Sequence, residues 1–299
     1  SDYLSKFLDL EYYTLDSNDG NLNIDYSLLN PNHVHIFNSR YSIIKKCINP
    51  LNIFVKKIYI THGFSNGLKY QSFLSRLLYY FIVNLPNTTI VACGKDEFDS
   101  TRKLVLFNNV TQINNALFNF KLKKTTCTFP LKKIIFIGRQ THQKGFDLFL
   151  QSLINISGYQ IDVYGSKSND INFDKYCNNI INKYNINVNF HGNVNLSDID
   201  FNNSIVVSPS RFEGLPYLLL ELMVNRIYVV GSNVNGQSEL FNHDVGSFYL
   251  PTDIDMKLLT NFISDSEFNS LLDERILNIN KFYSFDTFRL SWEVLLKNA

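Results

Sequence analysis

Short apolar segments alternate with longer amphipathic segments along almost the whole chain, and this alternation constrains the fold more than any other feature. The apolar segments predict strands at 33–37, 57–61, 89–93, 110–114, 133–138, 160–165, 187–192, 204–209 and 227–232. Predicted helices between them include 69–84, 145–156, 170–184, 216–225 and 284–299. Strands that are apolar throughout are typical of parallel sheets covered on both faces. Their alternation with helices predicts right-handed βαβ units and doubly wound α/β sheets.

The strand–helix series falls into two parts. The segment FKLKKTTCTFPL, at 120–131, is basic and polar, contains a proline and shows no clear periodicity, which predicts a domain boundary. We therefore expect one Rossmann-like domain over 1–125, a second over 126–283, and a C-terminal helix over 284–299 that packs back on the first domain. Two such domains face each other across a cleft, and ligands bind parallel sheets at the carboxyl ends of the strands.

The sequence argues against a secreted or membrane-spanning protein. The longest fully apolar run, LLYYFIV at 77–83, is too short to cross a bilayer. The first ten residues, SDYLSKFLDL, have neither the basic start nor the sustained apolar run of a signal peptide. The widely spaced cysteines are typical of reduced thiols, and they are Cys47, Cys93, Cys127 and Cys177. We therefore expect a cytoplasmic protein.

The net charge of +1 conceals an uneven distribution. No Asp or Glu lies between Tyr26 and Lys95, a stretch that contains eight Lys or Arg residues. Within it, the aromatic and apolar segment 70–85 has basic residues interleaved, which is typical of interfacial helices but also compatible with a core helix. This pattern predicts peripheral contact of residues 40–85 with an anionic membrane. The basic residues fit no nucleic-acid-binding motif, so we expect no nucleic-acid partner.

The segment SRFEGLPYLLLELM, at 210–223, places Glu213 just before a predicted helix and Glu221 inside it. Pro216 suits the first helical turn, and a helix that begins there points free N–H groups and its positive dipole end towards a ligand. Such a helix start favours an anion. An unpaired carboxylate among leucines is costly, so Glu221 is expected to meet a polar group. Because carboxylates accept hydrogen bonds from sugar hydroxyls, the arrangement predicts a nucleotide-sugar site.

The segment FIGRQTHQKGFDLFL, at 136–150, supplies two cations at another strand end. The strand closes at Gly138, and Arg139 and Lys144 bracket the loop that follows. Two cations at this spacing suit a diphosphate, because a guanidinium can bind two of its oxygens. We interpret Asp147 as a first-turn helix residue favoured by the helix dipole.

Two further features bear on ligand binding. The loop GSNVNGQSELF, at 231–241, follows a strand end, and its Gly236 allows close approach of the backbone, while Glu239 enters the next helix. His33 and His35 share one face of a strand, which is compatible with a metal pair. No third metal ligand is in view, so we favour a structural role for both and expect no metal site.

Each candidate residue also has a purely structural interpretation. Glu213 or Glu221 alone is as compatible with an ordinary surface or ion-paired residue as with a ligand contact. Lys144 alone is best read as a solvated lysine at a helix start. Taken together with Arg139 and the order of the loops, they favour ligand binding.

These loops, in this order over roughly residues 131–250, resemble the nucleotide-sugar-binding half of glycosyltransferase family 4. The resemblance rests on G-R-x4-K-G-x-D, VYGS, VNFHGNV, VVSPSRFEGLPYLLLELM and VVGSNVNGQSEL. It implies the two-domain GT-B fold and a retaining, metal-independent hexosyltransferase that needs no cofactor besides its nucleotide-sugar donor. The lack of a DxD-type acidic cluster near any predicted strand end is consistent with metal independence.

The resemblance also implies roles for individual residues. Arg139 and Lys144 would hold the diphosphate of the sugar donor, and Glu221 would hold its ribose. Glu213 would contact the transferred sugar. Further donor-binding positions follow from the same segments, namely Gly138, Gly214, Leu215, Pro216 and Gly236.

The first half of the chain resembles the family through two shorter segments. KIYITHGF would place His62 near the transferred sugar, although a core histidine is the alternative, and VTQINNALF points to Asn115 as a sugar-donor contact. The family's opening strand and Gly-rich loop have no evident counterpart, since the first glycine is Gly20 in a turn-like DSNDGN. We therefore expect an N-terminal domain that is shortened or lacks this element.

The predicted function is a retaining transfer of a sugar from a nucleoside-diphosphate sugar, with a UDP-sugar favoured, to a hydroxyl of a glycan or lipid-linked glycan. Arg139, Lys144, Glu213 and His62 are its catalytic candidates. The resemblance suggests bacterial surface polysaccharide synthesis at the inner face of the cell membrane. One alternative is a non-catalytic GT-B subunit or scaffold that partners an active transferase. Another is a sugar-nucleotide epimerase or a phosphorylase, against which the Glu-x7-Glu context argues.

Overall fold

A computed structural model describes residues 34–38, 40–47, 50–117, 131–154, 156–241, 249–250, 273–274, 276–277 and 279–298. The predicted boundary segment 120–131 lies outside these residues except for Leu131. Gly20, the segment around it and His33 also lie outside them, so the expectations for the first 33 residues are not addressed by the structure.

The described strands form two sheets, and every pairing within them is parallel. The first sheet has the order β1-β2-β3-β4, with β1 His35–Phe37, β2 Lys57–Thr61, β3 Thr88–Ala92 and β4 Val110–Gln112. The second sheet has the order β10-β9-β8-β5-β6-β7. Its strands are β5 Lys133–Ile137, β6 Gln160–Tyr164, β7 Asn189–Gly192, β8 Ser204–Ser208, β9 Tyr228–Ser232 and β10 Tyr249–Leu250. The predicted strands agree with β1 to β9 to within two residues at each end.

Helices connect the parallel strands, as βαβ units require. The helices that lie between strands are α1 Arg40–Cys47, α2 Phe73–Val83, α3 Lys95–Arg102, α4 Phe146–Ser152, α5 Ile171–Tyr184, α6 Tyr217–Val224 and α7 Ser238–Phe241. A further helix, α8 Phe285–Lys297, follows the last strand. Short 3-10 helices span Pro50–Phe54, Leu68–Tyr70 and Leu196–Asp198. Helix α2 begins four residues later than predicted, because the Ser72 hydroxyl accepts the N–H of Ser75 and caps the helix there.

Both sheets are covered on two faces. On the second sheet, α4 and α5 pack on one face through residues such as Phe149 and Ile180, and α6 packs on the other through Leu219 and Leu222. On the first sheet, α1 and α2 cover one face with a cluster that includes Tyr79. The prediction of two parallel α/β sheets is therefore confirmed. The second sheet is doubly wound, since its strand order reverses between β8 and β5, whereas the described strands of the first sheet follow one another in chain order.

Helix α8 covers the remaining face of the first sheet. Trp292 is buried in one cluster with Ile58, Val91 and Ile113. Just before this helix, Tyr283 lies in the core of the second sheet. The end of the chain therefore passes from the second domain to the first. No helix among the described residues is long and apolar enough to span a membrane.

Candidate active site

Loops from both sheets meet where the two domains face each other, and we call this meeting point the interdomain junction. It consists of the segments that follow β2, β3, β4, β5, β8 and β9, namely 62–67, 93–96, 113–117, 138–145, 209–216 and 233–237. All of them leave the carboxyl ends of parallel strands. Asn66 and Asn115 of the first domain donate side-chain N–H groups to the carbonyls of Glu213 (2.8 Å) and Leu215 (2.9 Å) of the second. A ligand bound at the strand ends of either domain would lie at this junction.

Glu213 is fixed on all sides at the junction and is only 7% exposed. Its carboxylate oxygen Oε1 accepts hydrogen bonds from Lys144 Nζ at 2.7 Å and from Ser210 Oγ at 2.6 Å. Its backbone N–H donates to the carbonyl of Asn235 at 3.1 Å, and its own carbonyl accepts from Asn66. Among the described residues, none donates to the second carboxylate oxygen, Oε2. That oxygen can therefore accept a further hydrogen bond.

Lys144 and Glu213 form an ion pair, which the sequence did not predict. The resemblance assigns the lysine to a diphosphate and the glutamate to a sugar, yet the structure joins the two groups directly. The side chains are 26% and 8% exposed. An ammonium has three N–H donors, and the carboxylate uses one of them. Glu213 thus holds the Lys144 ammonium in place, and the two remaining N–H groups of the ammonium can bind an anion.

Arg139 lies in the loop between β5 and α4 and is exposed. No carboxylate of the described residues forms an ion pair with its guanidinium. The loop itself is held tightly, since an added Cβ at Gly145, where φ is +67°, would lie 1.9 Å from the carbonyl oxygen of Pro209. Gly138, with φ of +150°, donates its N–H to the carbonyl of Tyr164 at 2.9 Å. A tightly held loop thus presents a guanidinium that has no ion-pair partner in the described part of the chain.

Asp147 has a partner that the sequence interpretation missed. It occupies the first turn of α4, as predicted, but its two carboxylate oxygens accept hydrogen bonds from Arg211, both at 2.7 Å. Arg211 also donates to the carbonyl of His142 at 2.7 Å. The hydrogen bond and charge of Asp147 raise the pKa of Arg211. This bidentate pair braces the loop after β5 against the loop after β8, so the helix dipole is not the main reason for the aspartate.

Glu221 lies in the second turn of α6 and is half-buried. Burial raises the pKa of its carboxyl group to about 7. No described residue donates a hydrogen bond to this carboxylate or forms an ion pair with it. The polar group expected for Glu221 is therefore not supplied by the described part of the protein.

Helix α6 begins one residue later than the sequence predicts. Pro216 is the N-cap, not a residue of the first turn, and its carbonyl accepts the N–H of Leu219 at 3.1 Å. Just before it, the carbonyl of Leu215 accepts the hydrogen bond from Asn115. Asn115 thus contacts the loop after β8 in the second domain directly.

The backbones of the two domains touch next to Glu213. Gly63 has a φ of +76°, and an added Cβ there would lie 2.3 Å from the backbone N of Gly214. An added Cβ on Gly214 would lie 2.9 Å from the backbone N of Gly63. His62, which immediately precedes this contact, is exposed, and the surrounding protein lowers its pKa by desolvation. His62 is therefore not a core histidine, and its imidazole is neutral near pH 7.

Gly236 brings a third loop to the same point. Its φ is +86°, and an added Cβ would lie 2.2 Å from the carbonyl oxygen of Gly214. Its N–H donates to Asp96 Oδ2 of the first domain at 2.9 Å, and Glu239 Oε2 accepts the N–H of Asp96 at 3.0 Å. Burial raises the pKa of Glu239 to about 7. Helices α3 and α7 thus cap each other across the junction through acidic residues of their first turns.

Residues of the junction that sequence reasoning missed include Asn66, Asp96 and Arg211. The sequence context offered a clear signal for Arg211 and for Asn66. Arg211 lies inside SRFEGLP, and Asn66 lies in HGFSNG, directly after a strand that ends in His-Gly. Asp96 carried only the weak signal of an acidic residue in a first helical turn. Among the described residues, no cluster of three or more His, Cys, Asp or Glu could hold a metal ion.

A family model described as glycosyl transferases group 1 matches residues 123–275, just over half of the chain. The matched range contains the loops after β5, β8 and β9, which hold Arg139, Lys144, Glu213 and Gly236. No curated protein sequence matches the chain.

Solved structures of glycosyltransferases share the fold. Sucrose-phosphate synthase from Thermosynechococcus elongatus aligns over 89% of this chain and 73% of its own, with 14% identity and a TM-score of 0.71. HepE from Anabaena, solved with UDP and glucose, aligns over 89% of this chain and 78% of its own, with 13% identity and a TM-score of 0.73. TarM from S. aureus aligns over 88% of this chain and 54% of its own, with 18% identity and a TM-score of 0.67. The fold is therefore the GT-B fold.

Proposed function

The chain belongs to the group 1 glycosyl transferases, and from this premise we propose that it moves a sugar from a nucleoside-diphosphate sugar to a hydroxyl of a glycan or lipid-linked glycan. One observation carries the proposal. The interdomain junction brings together a carboxylate with one unused oxygen, Glu213, and the ammonium paired with it, Lys144. The strand-end loops that carry them lie at the position where parallel sheets bind ligands.

The diphosphate of the sugar donor would lie between Arg139, Lys144 and the start of α6. Arg139 has no ion-pair partner among the described residues, and Lys144 has N–H groups to spare. The positive end of the α6 dipole adds a further favourable site for negative charge. HepE is described in complex with UDP-glucose and TarM in complex with UDP, which supports a UDP-sugar as the donor.

The nucleoside and the transferred sugar would each meet one carboxylate. Glu221 has no described protein partner, so the ribose hydroxyls are its proposed hydrogen-bond donors. Glu213 Oε2 would accept from a hydroxyl of the transferred sugar, and the neutral imidazole of His62 would contact the same sugar from the first domain. With these contacts, the sugar donor would lie across both domains.

The proposed reaction is retaining and needs no metal ion. The bond between the anomeric carbon and the phosphate oxygen breaks, and the acceptor oxygen bonds to the same face of the carbon. The departing phosphate takes the proton of the acceptor hydroxyl. Negative charge grows on that phosphate, and Arg139 and Lys144 are placed to stabilise it. Charge stabilisation of this kind is worth about 3–4 kcal/mol per key group.

A lipid-linked acceptor is proposed because the first domain exposes an apolar face. On α2, Tyr79, Ile82 and Val83 are buried, but the side chains of Phe73, Leu74, Leu77 and Phe81 are exposed, Phe73 by 76%. Two loops lie next to the end of α2, since Asn84 Oδ1 accepts the N–H of Leu106 and Asn87 Nδ2 donates to the carbonyl of Phe54, both at 2.7 Å. The side chains of Leu106 and Phe54 are also exposed. Lys69 and Arg76 are exposed beside the apolar face. A face of this composition fits an anionic membrane surface.

Vesicle binding tests the membrane proposal. Flotation with vesicles of phosphatidylglycerol should carry the protein, and the double variant Phe73→Ser/Leu77→Ser should remain unbound. The matched control is Ile171→Ser, which removes an apolar residue with 82% exposure from the second domain. Equal binding by all three proteins, or background binding by the wild type, would refute membrane contact.

Nucleotide release tests the transfer itself. The protein is incubated with UDP-, GDP-, dTDP- and ADP-sugars, and thermal shift and nucleotide release are measured for each. The proposal expects one donor to raise the melting temperature and to be consumed, slowly without acceptor and faster with a glycan acceptor. Binding without release, with every acceptor tried, would favour a non-catalytic GT-B subunit.

A further inference from the structure

We propose that Asn66 and Glu97 are positioning residues for Glu213, so that the first domain sets the geometry of a carboxylate that belongs to the second. The inference rests on the proposed function, in which Glu213 contacts the transferred sugar. Neither residue is expected to touch the substrates. Both act through one loop, residues 63–67, which we call the Asn66 loop.

Glu97 anchors the backbone of the Asn66 loop from below. It is fully buried in the first turn of α3, and its two carboxylate oxygens accept the N–H groups of Ser65 (3.3 Å) and Asn66 (3.2 Å). The Ser65 hydroxyl lies 2.9 Å from that of Thr101, also on α3. A buried carboxylate is costly unless it is hydrogen-bonded, and here the loop supplies the hydrogen bonds. The carboxylate of Glu97 thus serves to hold the backbone of the Asn66 loop.

Asn66 carries this anchor across the junction. Its side chain is 9% exposed, and its Nδ2 donates to the carbonyl oxygen of Glu213 at 2.8 Å. The other end of the amide, Oδ1, accepts from the hydroxyl of Ser100 at 3.1 Å. The backbone and the side chain of Asn66 are therefore both tied to α3, through Glu97 and Ser100. The amide that holds Glu213 has no freedom to turn away without breaking one of these bonds.

The contact controls where the carboxylate of Glu213 points. The peptide unit before Glu213 is held by its N–H bond to Asn235, and the unit after it is held by Asn66. With both peptide units fixed, the direction of the Cα–Cβ bond is fixed as well. Lys144 and Ser210 then set the carboxylate at the end of the side chain. Loss of the Asn66 amide releases one of the two peptide units and allows Oε2 to move.

This role predicts a particular kinetic signature. Displacement of a reacting or orienting group by about 1 Å can cost about 100-fold in rate. The nucleoside diphosphate, in contrast, is assigned to Arg139, Lys144 and Glu221, which Asn66 and Glu97 do not contact. We therefore expect Asn66→Ala to lower kcat by about 10- to 100-fold, with little change in the Kd for UDP.

The matched control is Asn108→Ala. Asn108 also uses Nδ2 to hold backbone carbonyls, those of Val83 and Leu85, both at 2.8 Å, but it lies before β4 at the opposite end of the first sheet. A purely structural contribution of an amide would make the two variants alike. We expect Asn108→Ala to keep the wild-type kcat at temperatures where it is folded. Equal kcat for the two variants would overturn the proposal.

Glu97→Gln tests the anchor separately. The glutamine keeps the size of the side chain, but its oxygen can accept only one of the two N–H groups, and its NH₂ cannot accept the other. We expect a smaller fall in kcat than for Asn66→Ala. Because both residues act through one contact, the double variant Asn66→Ala/Glu97→Gln should be no slower than Asn66→Ala alone. Additive losses would show that Glu97 acts by another route and would overturn its assignment.

Hydrogen exchange separates this proposal from the proposed function. Peptides that cover 209–216 should exchange faster in Asn66→Ala than in the wild type and should be unchanged in Asn108→Ala. This result does not depend on turnover, so it stands even if the wild type releases nucleotide from no donor. Unchanged exchange of 209–216 in Asn66→Ala would overturn the positioning role whatever the activity.

Discussion

The two glutamates of the SRFEGLPYLLLELM segment lie in opposite environments, although they are only eight positions apart in the sequence. Glu213 has its backbone held from both domains and its Oε1 held by Lys144 and Ser210. Glu221 is half-buried, has no partner among the described residues, and has a pKa raised to about 7 by burial. A buried carboxylate that is hydrogen-bonded or ion-paired is compatible with a stable fold, whereas one without a partner lowers the free energy of unfolding. We call Lys144, Ser210 and the backbone contacts that hold Glu213 its frame; Glu221 stands outside this frame and remains the proposed contact of the ribose.

Among the variants considered, Lys144→Ala should cause the largest loss of transferase activity. We expect Lys144→Ala to lower kcat about 100- to 1000-fold, because it removes a cation beside the departing phosphate and the partner of Glu213. Steady-state nucleotide release measures the loss, and circular dichroism checks that the fold survives. Near-normal release by this variant would mean that the ion pair is only structural.

Two arginines extend the comparison to cations. Arg211 is paired with Asp147, whereas Arg139 has no ion-pair partner among the described residues. Arg211→Ala leaves Asp147 buried without its partner, so we expect a loss of about 3 kcal/mol in the free energy of unfolding. Arg139→Ala removes no ion pair of the described structure and should leave the free energy of unfolding within about 0.5 kcal/mol. Urea denaturation measures both. Equal destabilisation by the two variants would contradict the distinction.

Glu221→Gln should stabilise the protein at high pH. The pKa of Glu221 is about 7 in the folded protein and lower in the unfolded chain, so the folded state binds the proton more tightly. Its contribution to stability is therefore fully present below the unfolded pKa and is lost as the pH rises through about 7. We expect the variant to melt higher than the wild type at pH 8, with a much smaller difference at pH 4.5. Identical melting at both pH values would show that Glu221 has a partner.

Ser210→Ala should give the smallest effect of the series. The Ser210 hydroxyl is buried and donates to the same oxygen of Glu213 as Lys144 does. A hydrogen bond to a charged group is worth about 1.5–3 kcal/mol, but Lys144 remains and holds the carboxylate. We expect kcat to fall by about threefold to tenfold, since 1.4 kcal/mol corresponds to a factor of ten. A loss as large as that of Lys144→Ala would place Ser210, and not the lysine, at the centre of the frame.

The sequence predicted the fold well because apolar strands and their alternation with helices are local properties. The limits of β2 are those predicted, and the other predicted strands differ by at most two residues. The start of α2 was missed because a serine cap, Ser72, overrides the apolar pattern that precedes it. Helix α2 has both a buried face, with Tyr79, and an exposed apolar face, with Phe73, and whether the exposed face contacts a membrane stays a prediction.

The candidate site could be predicted only in part. The motifs indicated which loops matter, and the structure places Arg139, Lys144, Glu213 and His62 at the interdomain junction. The pairing of Lys144 with Glu213 joins residues 69 positions apart and depends on how two loops pack. A pattern of residue types contains no such information. Asn66 was missed for the same reason, because its partner is a backbone carbonyl in the other domain.

The most direct measurement is the binding of UDP-glucose by the wild type and by Glu221→Gln at pH 6 and pH 8, followed by calorimetry. The ionised fraction of a group with a pKa of about 7 rises about tenfold over this range. We expect the affinity of the wild type to rise by a similar factor, because ribose hydroxyls bind the ionised carboxylate, and that of the variant to stay flat and lower at pH 8. Equal affinities for the two proteins at both pH values, or no binding by the wild type, would contradict the assignment of the interdomain junction as the sugar-donor site.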